Sequence, residues 1–388
     1  MSRAVTVPAL LLTALVLSGC QTIGGWFSDD DAELQPAELV EFTPEVSVEE
    51  VWSTRTGKGS GKSRPDFRPL YDDGLIWVGD RAGNIVAVDA ESGRIEREFE
   101  TGLPLSSGPN VVDGRLLVGT FDGEILMLDA ANGRELWRNR MSSEVLAQPQ
   151  LHDGIVIARS IDGRVFGFDE NDGRRTWVYD RSVPLLTLRG NSDPLTRAGR
   201  VYIGYDDGMV VALDAAEGTV EWEQRVSEPE GRTELERLAD IDGPMVVVGG
   251  DLYVATYHGR LAGMAVESGR LLWVREIASH TGLSLRRIRL AASDASDTIW
   301  LVDRRNGATE WKDESLTRRE ITRPVFFRGL LVVGDFEGYL HFYDADTGEL
   351  VARERASRDR PVTAPLVVGN TLYILDTEGT LSAWRTGS

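Results

Sequence analysis

The chain has 388 residues, 41% of them hydrophobic, with a formal net charge of −20 and a single cysteine. Such acidity argues against nucleic acid and anionic lipid surfaces as partners, since both would repel it. One cysteine excludes a disulfide framework, and His152, His258, His280 and His341 are scattered without the spacing of a metal motif.

At the N-terminus, Arg3 precedes an apolar run that ends at Leu17, shorter than a membrane span requires. Residues 1–19 read as a signal peptide. Leu17-Ser18-Gly19-Cys20 resembles a bacterial lipobox, which implies lipidation of Cys20 after cleavage. Each buried CH₂ of an acyl chain adds ~0.8 kcal/mol, so several chains anchor stably. Gln21, not Asp, follows Cys20, which in Gram-negative lipoproteins goes with sorting to the outer membrane. Residues 20–45 carry Gly24-Gly25, Asp29, Asp30, Asp31, Glu33, Pro36 and Pro44, the composition of a flexible acidic tether. Next, Gly57-Lys58-Gly59-Ser60-Gly61-Lys62-Ser63 has the look of a phosphate loop, but Thr56 stands where its first Gly is required and Arg64-Pro65 replaces an opening helix.

From residue 46 onward one pattern recurs eight times. A Pro opens a short apolar strand, a Gly turn leads to a second strand, and another Gly turn to a third strand ending in Asp; Gly and Trp follow. The clearest copy runs from Pro109 through Asp113-Gly114, Asp122-Gly123, Leu128-Asp129 and Gly133 to Trp137. The second-turn glycines are Gly83, Gly123, Gly163, Gly208, Gly259, Gly338 and Gly379, with a degenerate copy around Asp297. Short strands separated by Gly turns at a period near 40 residues predict an all-β, eight-bladed β-propeller of four-stranded blades over residues 46–388. Strands such as Arg115 to Thr120 are rich in Val, Ile and Leu, as burial between stacked blades requires. The Trp positions (Trp137, Trp177, Trp222, Trp273, Trp311) are predicted to pack between neighbouring blades. The last copy stops at Trp384, one strand short, and Glu49-Glu50-Val51-Trp52 matches the missing fourth strand. The ring is therefore predicted to be closed by the N-terminal strand, which removes two free edges.

Asp344 to Glu349 superficially resembles a calcium loop but lacks the further spaced ligands and occupies the same turn as Asp89 to Gly93. No Gly-x-Ser-x-Gly elbow occurs, and nothing in the sequence calls for a catalytic residue, a metal or a cofactor.

The Asp-x-x-x-Gly-x-x-x-Trp element, as in Asp129 to Trp137 and Asp214 to Trp222, resembles the quinoprotein repeat. Two families share it. Quinone-dependent dehydrogenases generally use a calcium site and in several cases a vicinal disulfide, which a chain with one Cys cannot form. The chain is more similar, over essentially its whole length, to the BamB family of lipoproteins of the outer-membrane β-barrel assembly machinery. Leu185-Leu186-Thr187-Leu188-Arg189-Gly190-Asn191-Ser192 and Glu236-Arg237-Leu238-Ala239-Asp240-Ile241-Asp242 carry that resemblance. It implies a non-enzymatic scaffold facing the periplasm, with Leu186, Leu188, Arg189, Asp240 and Asp242 binding the insertase BamA at its POTRA region. Other Bam subunits and nascent outer-membrane proteins are further implied partners. Direct capture of unfolded client strands by β-augmentation is the alternative within the binding class.

The spacing points to the same segments independently. The Trp lies 17 or 18 residues before the next first-turn Gly in ordinary copies, but 22 from Trp177 to Gly199 and 28 from Trp222 to Gly250. Both insertions join an outer strand to the next inner strand, so they emerge on one face from adjacent blades. Leucines in such a loop have no evident core to fill, and Leu with Arg beside acids is a hot-spot composition. An internal pair between Arg189 and Asp240 or Asp242 would pre-organise the patch. Thr233 and Glu236 fit a capping box for a short helix in the second insertion.

Overall fold

The computed structural model describes residues 35–61, 67–181, 192–228, 239–257 and 259–387. These form eight four-stranded antiparallel sheets. Blades 1 to 7 span Leu70–Glu100, Asn110–Arg140, Gln150–Tyr179, Leu195–Arg225, Val246–Glu276, Leu283–Asp313 and Val325–Arg355. Blade 8 combines Leu366–Thr386 with the strand Val48–Arg55, which pairs antiparallel with Thr380–Thr386. The ring is thus an eight-bladed propeller closed by its N-terminal strand, as the sequence predicts. Signal peptide and lipobox, with Cys20, lie outside the described residues.

Each blade runs from the axis outward. A Pro stands just before the innermost strand in most blades, where its missing N–H leaves no ladder position empty. The middle two strands supply the core: Ile76 to Val78 and Ile85 to Val88 are no more than 2% exposed. Their side chains pack in apolar layers between neighbouring blades, for example those of blades 8, 1 and 2.

A β-bulge lies in the outer strand one residue before the Trp in blades 2 to 6 and before Trp52 in blade 8. A bulge re-aims the side chain that follows it. Here it turns each indole onto the third turn of the next blade. Trp137 Nε1 donates to Glu170 O at 2.9 Å, Trp177 to Ala215 O at 3.1 Å and Trp222 to Val266 O at 2.9 Å. The ring lies over that turn's glycine: a Cβ on Gly173 would come within 2.6 Å of Trp137 Cδ2. Trp52 repeats the contact on Gly93 and Ala90 O, so the closing seam has the same chemistry as the others. In degenerate blade 6, Asp297 replaces the turn glycine, taking a φ of 65° while its carboxylate accepts the N–H groups of Glu320 and Ile321 at 2.9 Å.

Residues 35–46 pass from the connection between blades 6 and 7 onto the outer strand of blade 7. Ala37 N donates to Thr317 O, Arg353 Nη1 to Val40 O and Glu45 N to Val351 O. The described part of the phosphate-loop look-alike is packed rather than loose: Ser60 N donates to Thr377 O and Lys58 N to Asp80 Oδ2. Asp344 caps its own turn by accepting from Asp346 N and Thr347 N at 2.8 Å, which explains the calcium-like spacing structurally.

Candidate functional site

Antiparallel order places the turn between second and third strands, and the connection between blades, at the same end of every blade. The two long connections therefore open on one face, after blades 3 and 4. Leu186, Leu188, Arg189 and the capping-box residues Thr233 and Glu236 lie outside the described residues. The feet of both insertions are described, and they meet on one turn, Tyr205 to Gly208 of blade 4.

That turn departs from its equivalents. In most blades the residue after the second strand is Asp or Thr, whose side chain accepts the N–H four residues on: Asp80 from Asn84 at 3.0 Å, Thr120 from Glu124 at 2.9 Å, Asp335 from Tyr339 at 3.0 Å. Blade 4 has Tyr205 there, 1% exposed. Two guanidinium groups lie over its ring, Arg159 at 4.8 Å and Arg181 at 5.2 Å from the centroid, a favourable distance for a cation at a ring face. Its hydroxyl donates to Gly163 O, and its carbonyl accepts from Gly208 N and from Ile241 N.

Each foot is tied to this turn. Arg181, just before the first insertion, donates to Asp207 at 2.9 Å and Glu223 at 3.3 Å. Ser192, just after it, bridges Gly204 N and Gly204 O through its hydroxyl, both at 3.2 Å. Beyond the second insertion, Asp240 O accepts from Tyr257 N, and Ile241 covers Gly204 so closely that a Cβ there would meet it at 2.3 Å.

Beneath lies a charged cluster. Arg159 is fully buried at the end of a second strand where blades 1, 2, 4 and 7 have Gly79, Gly119, Gly204 and Gly334. It donates to Gly204 O at 2.6 Å and to Asp206 Oδ1 at 3.2 Å. Asp240 is buried and Asp242 half-buried beside it. Burial, then the carboxylates of Asp240 and Asp206, push the Asp242 carboxyl well above the usual range against the opposing effect of Arg159. Asp242 Oδ1 is buried and has no hydrogen-bond partner among the described residues. Burial disfavours the charged form of these carboxyls, and a cation brought against them would favour it.

The structure thus brings Asp240 and Asp242 together at the predicted face. Sequence reasoning missed Arg159, Arg181, Tyr205 and Asp206. Arg159 and Tyr205 both break the repeat at their own positions, a signal that a column-by-column reading of the eight copies exposes. Among the described residues no group of three or more His, Cys, Asp or Glu side chains could hold a metal ion.

A ring of Trp-seamed blades with two adjacent insertions on one face defines a propeller of the quinoprotein type with one face set apart from the other. Comparison with known proteins gives that class a family. Residues 96–313 match the family model described as outer membrane protein assembly factor BamB. The BamB of Pseudomonas aeruginosa is 46% identical over 376 residues, covering 97% of each chain. The crystal structure of BamB from Moraxella catarrhalis superposes with a TM-score of 0.80 at 28% identity, covering 87% of this chain and 99% of that one. The chain belongs to the BamB family. Quinohemoprotein alcohol dehydrogenase from Comamonas testosteroni, at 14% identity and a TM-score of 0.68, shares the fold alone.

Proposed function

We propose that this chain is a non-enzymatic scaffold of outer-membrane protein assembly that binds BamA through its two insertions. Membership of the BamB family, whose relatives are named as outer membrane protein assembly factors, supports the general role. The observation that carries the binding site is the convergence of both insertions' feet on the Tyr205 turn, over the acid pair Asp240 and Asp242. Leu186 and Leu188 supply the apolar anchor and Arg189 a guanidinium fork; Asp240 and Asp242 meet basic groups of the partner. Residues 1–19 act as the signal peptide, Cys20 carries the lipid, and residues 20–45 tether the propeller of residues 46–388 to the periplasmic side of the outer membrane.

The mechanism is positional. A ring seamed by Trp contacts is rigid, so fixing one face on the BamA POTRA region orients that arm of the insertase and places other Bam subunits around it. The test is outer-membrane barrel assembly in cells carrying Leu186→Ala/Arg189→Ala. The proposal requires barrel assembly to fall together with BamA binding; loss of binding with normal assembly would end it.

A second reading has its own observation. The outer strands expose Ile95, Val178, Val220 and Leu272, each 41–47% accessible. An unfolded client strand could add to such an edge by β-augmentation. Crosslinking of a client peptide to an outer strand, surviving removal of BamA, would favour it.

A further inference from the structure

We propose that the face of the ring opposite the insertions carries a docking site for an acidic polypeptide segment, centred on the first hairpin turn of blade 6. Strand order puts the turns between first and second strands, and between third and outer strands, at this opposite end. In blades 1 to 3 the first turn is Asp-Gly, with Asp73, Asp113 and Asp153 exposed at its tip at φ values of 43° to 50°. Asp is one of the few side chains that tolerates this left-handed backbone. Blades 6 and 7 place arginine at the same position: Arg287 at φ 57° and Arg328 at φ 48°. A long side chain gains nothing locally from such a backbone. Blades 4, 5 and 8 have Ala198, Gly249 and Gly369 at this position, so blades 6 and 7 alone put a charge of positive sign there, and two adjacent arginines in a chain of net charge −20 point to a use outside the fold.

The charge there is uncommitted. Arg286 and Arg287 are exposed, and neither has an ion-pair partner among the described residues. Among the described residues Arg328 reaches only the Thr386 hydroxyl, at 3.3 Å. The backbone carrying them is braced, since Arg304 donates to Arg287 O at 2.9 Å and to Ile288 O at 2.8 Å. Beside Arg286 and Arg287 opens a groove of about 410 Å³, whose lining includes the apolar Ile288, Phe326 and Ala345 and the basic Arg286, Arg287 and Arg289. Ile288 is 44% exposed at its rim. Arg289 is already held by Glu310, at 2.8 Å, and by Asp346.

This combination selects the occupant. Arginine forks match carboxylates, and the apolar wall takes a neighbouring hydrophobic side chain. Glu310 and Asp346 in the same groove are paired with Arg289, which leaves Arg286 and Arg287 as its uncompensated charges. The acidic tips of blades 1 to 3 elsewhere on the face would repel an extended anionic membrane. A short acidic segment with an apolar residue satisfies every part.

Binding of a fluorescein-labelled peptide of Asp-Glu-Phe repeats to the full chain in detergent, followed by anisotropy, tests the proposal against a counterpart with Lys for each acid. Arg287→Asp/Arg328→Asp installs the residue that blades 1 to 3 carry at this turn, so folding is preserved and the unfolding midpoint reports it. The variant is expected to bind the acidic peptide about tenfold more weakly or worse, with the midpoint unchanged, and wild-type binding to weaken with salt. Asp113→Arg on blade 2 should leave binding as it is. Equal binding of both peptides, or full binding by the folded double variant, would overturn the proposal. So would phosphatidylglycerol vesicles, or a second copy of the chain, losing binding to the variant while the acidic peptide does not.

Discussion

Replacing Arg159 by Met removes a buried guanidinium that braces the turn on which the feet of both insertions meet. The variant loses the hydrogen bond to Gly204 O, the ion pair with Asp206 and the contact with the Tyr205 ring, while methionine fills much of the volume. The Asp206 side chain, 1% exposed, would be left without its cation. Breaking a buried pair from one side typically costs about 3–5 kcal/mol, whereas replacing both partners by apolar groups is often nearly neutral. Urea denaturation at pH 7 should therefore show Arg159→Met destabilised by about 3–5 kcal/mol, and Arg159→Met/Asp206→Leu recovering most of that loss. The pH dependence has a definite sign. Burial already raises the Asp206 carboxyl, and Arg159 is what opposes it. Without Arg159 the folded carboxyl rises further above its unfolded value, so the penalty shrinks as pH falls toward about 4. A single-variant cost below about 1 kcal/mol, or a double variant as unstable as the single, would refute the view that this pair braces the site.

Asp242→Asn should stabilise the isolated chain by about 1–3 kcal/mol at pH 7, because burial and the Asp240 and Asp206 carboxylates penalise a charged form that Asn lacks. The folded carboxyl lies above its unfolded value, so this gain grows as pH rises past about 4 and vanishes below it; denaturation midpoints across a pH series check both ends. Trp137→Ala should cost about 3–5 kcal/mol by emptying a blade seam. Gly173→Ala should cost more than about 1 kcal/mol, since its φ of 69° and the indole above it both exclude a Cβ; thermal unfolding separates these two from a surface control such as Glu91→Ala.

Most of the ring was legible because blade physics repeats. Gly and Pro punctuation set the strand order, and Trp52 identified the closing strand because it alone lacked a copy of its own. Asp297 shows why blade 6 could lose its glycine: a capped carboxylate at positive φ replaces the flexibility that glycine offers. The bulge before each Trp was not legible, since register shifts arise from pairing and leave no composition signature. The Tyr205 hub was hidden for another reason. Its contacts join blade 3 to blade 4 and one insertion to the next, so no single copy contains them, although Arg159 in a glycine column and Tyr205 in an Asp or Thr column mark the spot. Asp240 and Asp242 were named from the resemblance, in a segment the spacing also marks; that Asp242 Oδ1 has no hydrogen-bond partner among the described residues emerged only from packing.

Binding of the lipid-free chain, residues 21–388, to the purified periplasmic region of BamA tests the central claim most directly, with wild type compared against Leu186→Ala/Arg189→Ala of confirmed fold. The account predicts saturable wild-type binding that the folded double variant loses. A folded variant that binds as well as wild type, or a wild type that does not bind, would contradict it.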